Sequence, residues 1–103
     1  MKYWIVKASQ TPITESDTGY VWPEPSGFSS DDILFLWEPW PKEGVIAKLK
    51  GQTVVKQRLS NPISTTILSS RGLSTLASSL SISFTWQQLE EKEGKALDCL
   101  FDV

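Results

Sequence analysis

Histidine is missing altogether from these 103 residues, and much chemistry goes with it. There is no imidazole to serve as the usual general base near neutral pH, no commonest zinc ligand, and no Ser–His or Cys–His dyad. Cysteine occurs once, at Cys99, which excludes a disulfide within the chain and a cysteine-based metal cluster. No apolar run approaches the roughly 20 residues that a membrane-spanning helix needs. The opening "MKYWIVKASQ" carries a basic residue and a short apolar stretch. It is too short for a signal-peptide core and has no small-residue cleavage site, so it reads as a first strand. No membrane partner is expected, and a single cysteine agrees with a cytoplasmic setting.

The carboxylates offer no obvious catalytic pair. Asp31 and Asp32 are adjacent, and on a strand adjacent side chains point to opposite faces. Glu90, Glu91 and Glu93 fall on a predicted helix and read as solvated. Cys99 lies near Leu97 and Leu100 and reads as a core side chain rather than a nucleophile. No catalytic residue, metal or cofactor is expected, and the chain is not expected to be an enzyme.

What is present is an ordinary globular composition, 40% hydrophobic and 21% charged, of a length that fits one domain over residues 1–103. Five tryptophans are many for that length. Trp22, Trp37 and Trp40 lie beside proline, glycine or acidic residues, as in "FLWEPWPKEG", and either fill a core or line a site. Trp4 shares a strand face with Val6 and reads as core. Trp86 reads as core too, stapling a C-terminal helix to the sheet. The net charge of −2 hides a basic middle: Lys42, Lys48, Lys50, Lys56, Arg58 and Arg71 are opposed there only by Glu43. Such a segment either faces phosphates or decorates the solvent side of strands.

The order of elements follows from periodicity and punctuation. "YWIVK" (3–7), "DDILFLWE" (31–38), "EGVIAKLKG" (43–51) and "TVVKQRLS" (53–60) read as strands, the second apolar on both faces. The second and third are joined through "PWPKEG", which has hairpin length. In the fourth, alternation puts Val54, Lys56 and Arg58 on one face; Lys48 and Lys50 share a face of the strand before it. Between the first two strands runs a long polar connection rich in proline, with one helical turn expected near Thr14 and Asp17, and long loops of this kind tend to carry function. "STTILSSRGLSTLASSLS" reads as short helical turns and "SISFTW" as a short strand. A C-terminal helix is expected from an N-cap at Thr85, with Leu89, Ala96, Leu97 and Leu100 on its apolar face and Gly94 weakening it by about 1 kcal/mol. Meandering strands with few helices suggest an α+β domain with a strongly curved sheet or small barrel.

Taken in order, these segments resemble the EVE domain of the PUA-like superfamily, itself related to the YTH domain. "YWIVKAS" is similar to that family's opening strand. "DDILFLWEP" resembles its Gly-Asp-x-Val-Leu-Phe-aromatic segment, with Asp32 and Trp37 in the matching places. "GVIAKLKG" and the run from "RLSNPIS" to "TWQQLEEKEGKAL" follow in register. Asp31 stands where the family has glycine, Ala47 and Leu49 replace later glycines, and the usual Gly-Thr before the last strand is missing.

The resemblance implies a non-catalytic reader that holds a modified base of DNA or RNA in an aromatic cage. Such domains often serve as the sensing part of a modification-dependent restriction system beside an effector nuclease. It nominates Trp22, Trp37 and Trp40 as cage walls and Ser9 as a hydrogen-bonding group. From the residues themselves, Glu38 can accept from an exocyclic amine. Lys7, Lys48, Lys50, Lys56 and Arg58 are the candidates for contacts to the nucleic-acid backbone. The rival reading is a protein-interaction module with an exposed tryptophan patch.

Overall fold

A computed structural model describes residues 1–7, 25–38, 43–58, 60–79 and 86–102. The strands are β1 (Tyr3–Lys7), β2 (Ile33–Glu38), β3 (Gly44–Lys50), β4 (Thr53–Gln57), β5 (Ile63–Ser64) and β6 (Trp86–Leu89). The helices are α1 (Thr65–Ser70), α2 (Ser74–Ser79) and α3 (Glu91–Phe101). The strands form one mixed sheet in the order β4-β3-β2-β1-β6, with β5 pairing to the first residues of β3. Among the described residues the sheet is open rather than closed into a barrel. With a Cα radius of gyration of 12.3 Å, the chain is as compact as a 100-residue domain should be. No described helix is long and apolar enough to cross a membrane.

One pairing departs from a simple meander. β1 and β2 run parallel, Tyr3 beside Ile33 through Lys7 beside Trp37. A parallel pair requires a crossover, and the long connection after β1 supplies it.

The sheet is apolar on both faces. Tyr3, Ile5, Ile33, Phe35, Trp37 and Val45 face the helices in one cluster with Leu68, Leu76, Leu97 and Phe101. Trp4, Val6, Leu34, Leu36, Ile46, Ala47 and Leu49 make a second cluster on the other face, joined by Phe28, Val54 and Trp86. Aromatic stacking ties α3 to the first face: Phe35 lies between Tyr3 and Phe101, with ring centroids 6.4 and 5.7 Å away. Gly94 is the notch that lets α3 approach. A Cβ there would stand 2.1 Å from Tyr3 Cγ, so the glycine that weakens the helix locally is what allows it to pack.

Two bulges break the alternation expected from sequence. Lys48 pairs with Lys56 but Leu49 pairs with Val54, which leaves Val55 as an extra residue. Val54 therefore joins the second cluster while Lys56 turns to the α3 side, and the predicted common face of Val54 and Lys56 does not form. Ile46 is the corresponding extra residue opposite β2.

The short helices have clear stops and starts. Ser64 caps α1 by accepting from the Ile67 amide, and Gly72, at φ 80°, ends it with the amides of Gly72 and Leu73 bonded back to Ser69 and Leu68. At the C-terminal end the expected helix begins later than its sequence pattern implied. Trp86–Leu89 pairs with β1 instead, and α3 starts only after Glu90, so Thr85 is not its cap. Leu89 accordingly packs on the sheet beside Tyr3. Cys99 is exposed, not core: it lies two residues, about 200° of helical turn, from the buried Leu97.

Candidate functional site

β1 and β2 finish at the same edge of the sheet, as parallel strands must. β3 starts there, Gly44 pairing with Glu38, and so does β6, Trp86 pairing with Val6. β5 meets Gly44 and Val45 at that edge too. The sequence-predicted contacts are attached to it: Lys7 ends β1, Trp37 and Glu38 end β2, Ser9 and Trp22 belong to the connection after β1, and Trp40 to that after β2. Ser9, Trp22 and Trp40 lie outside the described residues, as does the helical turn expected near Thr14.

Trp37 is only 6% exposed and its ring belongs to the helix-side core with Val45 and Ile63. It is not an open cage wall. Its indole Nε1 is buried with no hydrogen-bond partner among the described residues, and Lys7 holds its ammonium 5.4 Å from the ring centroid. Glu38 is 2% exposed and forms the last residue of the strand. Strand alternation directs it to the face opposite Trp37. The structure therefore brings Lys7 to Trp37 and separates both from Glu38. Glu43, where the chain enters β3, has φ 50°, a left-handed conformation uncommon for a residue with a side chain.

The basic stripe has a different use. Lys48 and Lys56 face each other across β3 and β4, and with Arg58 they converge on the C-terminal end of α3. Lys48 ion-pairs with Asp98, Lys56 donates to the Phe101 carbonyl, and Arg58 donates through Nη1 to the Leu100 carbonyl at 2.9 Å. Arg58 Nε also donates to Asn61 O at 2.9 Å. α3 has no basic residue in its own last turn, so the sheet supplies the cations that its carbonyls and dipole favour. Lys50 is exposed on the same face. Three of the cations assigned by sequence to phosphate contacts thus already hold acceptors within the chain.

Sequence reasoning noted Asp32 only as the non-catalytic neighbour of Asp31 and as a match to the family's Asp, and missed its structural role. This carboxylate, 2% exposed, accepts from the Lys2 amide at 2.9 Å, the Ser29 amide at 3.0 Å and the Trp4 indole at 3.0 Å. Burial is the largest single influence on its carboxyl and pushes the pKa up. The two amides, the indole and the charge of Lys2 together outweigh it and hold the pKa below the ordinary 3.8. The only sequence signal was an Asp at the start of an apolar strand with a Trp on the neighbouring one.

Away from this edge, a cleft of about 340 Å³ lies between the α1–α2 turn and α3. Arg71, Lys92, Glu90 and Glu93 line it with both signs of charge, which suits neither phosphate nor base. Among the described residues no group of three or more metal-ligating side chains comes together. Comparison of the chain with known protein families, with curated proteins and with solved structures finds no match in any of the three.

Proposed function

We propose that this protein is a non-catalytic reader of a modified, methylated or hydroxymethylated base, taken flipped out of DNA. On this reading the open sheet belongs to an EVE-type, PUA-like domain in the cytoplasm, the sensing module of a modification-dependent restriction or defence system with an effector nuclease as partner. The observation that carries it is the edge where β1 and β2 end. On one face there a buried indole donor has no acceptor among the described residues and a cation stands above its ring; a buried carboxylate lies on the other face. Three further nominated contacts, Ser9, Trp22 and Trp40, sit on the connections that leave it. Extruding a base costs a few kcal/mol, and each aromatic stacking contact returns about 1–3 kcal/mol. Binding is therefore strongest where the base is already unpaired.

An exposed tryptophan patch for a protein partner is less well supported, because Trp4 and Trp37 are buried and have no ring face to offer. An RNA target remains the second arm of the test. Binding is measured to matched oligonucleotides, as DNA and RNA, single- and double-stranded, carrying cytosine, 5-methylcytosine, 5-hydroxymethylcytosine or N6-methyladenine. The expected result is one modified member bound at least tenfold more tightly than its unmodified counterpart, with the preference lost in Trp22→Ala or Trp40→Ala. Equal weak binding of all members, or none, removes the reading.

A further inference from the structure

Two donors lie on one face where β1 and β2 end, and among the described residues that face offers the indole no acceptor. Trp37 and Lys7 are register partners, and the Lys7 ammonium stands 5.4 Å from the indole centroid. An indole N–H and an ammonium can only donate. Among the described residues the Trp37 N–H has no acceptor and Lys7 has no ion pair or hydrogen bond. By contrast Lys48, Lys56 and Arg58 each reach a carboxylate or a helix carbonyl, and the equally buried Trp4 indole reaches Asp32. A buried donor left without an acceptor opposes folding, and an incoming acceptor removes that deficit.

We infer that Lys7 and Trp37 form a seat for an anionic oxygen, a phosphate oxygen of the bound strand. The seat follows from the two side chains; assigning its oxygen to a nucleic-acid strand rests on the proposed function. A neutral carbonyl could accept from either donor, as the Phe101 carbonyl does from Lys56, but it would leave the ammonium without a counter-charge; an anion supplies that charge and makes both bonds charge-assisted. The N–H is closed from solvent at the ring edge, so an oxygen reaches it only when the packing there opens, and the flexible four-carbon stem of Lys7 lets the ammonium follow the anion. Trp37 on this account contributes its edge rather than its face. It positions the strand, and the base is stacked elsewhere.

The test uses the full chain labelled with ¹⁵N. Trp37→Phe identifies the Trp37 indole resonance among the five tryptophans. Inorganic phosphate, and separately the best oligonucleotide of the panel, is titrated against chloride at matched ionic strength. The seat predicts that phosphate moves the Trp37 indole signal, that chloride does not, and that Lys7→Met abolishes the movement. Both variants weaken oligonucleotide binding tenfold or more, and Lys7→Met lowers the slope of log K against log salt by about 1. An indole signal unmoved by either ligand, with both variants folded and binding like wild type, overturns the seat. If a modified oligonucleotide is selected while that signal stays still, the reader stands and the seat falls. A phosphate response lost in Lys7→Met, with no oligonucleotide bound, keeps the seat and removes the reader.

Discussion

Trp4 and Trp37 are equally buried, each 6% exposed, on neighbouring strands, yet their indole N–H groups meet opposite fates. Trp4 donates to Asp32, which also gathers the amides of Lys2 and Ser29. Its ring sits edge-on to Phe28 and Trp86, with centroids 5.9 and 6.3 Å away. Lys2 closes the knot by reaching the Gly27 carbonyl at 2.6 Å and lying 5.8 Å over the Trp4 ring. Every group there is accounted for inside the fold, which is the signature of architecture. At Trp37 the packing is as tight but the polar account is left open, beside a cation with no counter-charge among the described residues. The difference separates a residue kept for stability from one suited to a ligand, and exposure alone does not make that distinction.

The largest effect should come from removing the acceptor that closes the Trp4 knot. Asp32→Ala strands three donors in a buried setting and is expected to cost about 3 kcal/mol, read as a lowered urea midpoint at unchanged slope. Asp32→Asn, which keeps the shape and one acceptor, should cost less. Acid provides the same test without mutation. Because the folded pKa of Asp32 is depressed, its contribution is complete above the unfolded value near 3.8 and is lost as pH falls through the folded one. Wild type should lose more stability than Asp32→Asn over that range. Parallel acid profiles for the two proteins would show that Asp32 is not the carboxylate that matters.

Much of this was legible beforehand where local chemistry and tertiary packing agree. β1, β2 and β3 were visible because β-branched and aromatic runs there are also the buried strands. The helical turns over Thr65–Ser79 were visible too, although not their exact limits. The segment Trp86–Leu89 was misread as helix because "TWQQLEEKEGKAL" reads as one continuous helical run, and only the free edge of β1 makes it a strand. The bulge at Val55 changes which side chains share a face, and no spacing rule on β4 alone reveals an extra residue set by β3. For the site, the sequence singled out Lys7, Trp37 and Glu38. Alternation on the predicted strand already put Trp37 and Glu38 on opposite faces, but it could not show that both are buried, or that the basic stripe serves α3. A run of lysines records charge, and only the fold decides whether a helix end consumes it.

The smallest expected effect is also the sharpest comparison. Trp4→Phe removes buried ring area and leaves Asp32 short of a donor, for a combined cost of about 2–3 kcal/mol. Trp37→Phe removes similar ring area, worth roughly 1 kcal/mol, but also removes a buried donor that has no acceptor among the described residues, a relief of about the same size. Its stability should therefore stay within about 1 kcal/mol of wild type. Equilibrium urea unfolding of both variants at pH 7 decides the matter. If Trp37→Phe loses as much as Trp4→Phe, the Trp37 N–H has an acceptor after all, and the contrast between the two tryptophans disappears together with the argument for an anion beside Lys7. If the gap between them is 1 kcal/mol or more, the unmet donor is real, and the fold tolerates it at the one edge from which the nominated ligand contacts extend.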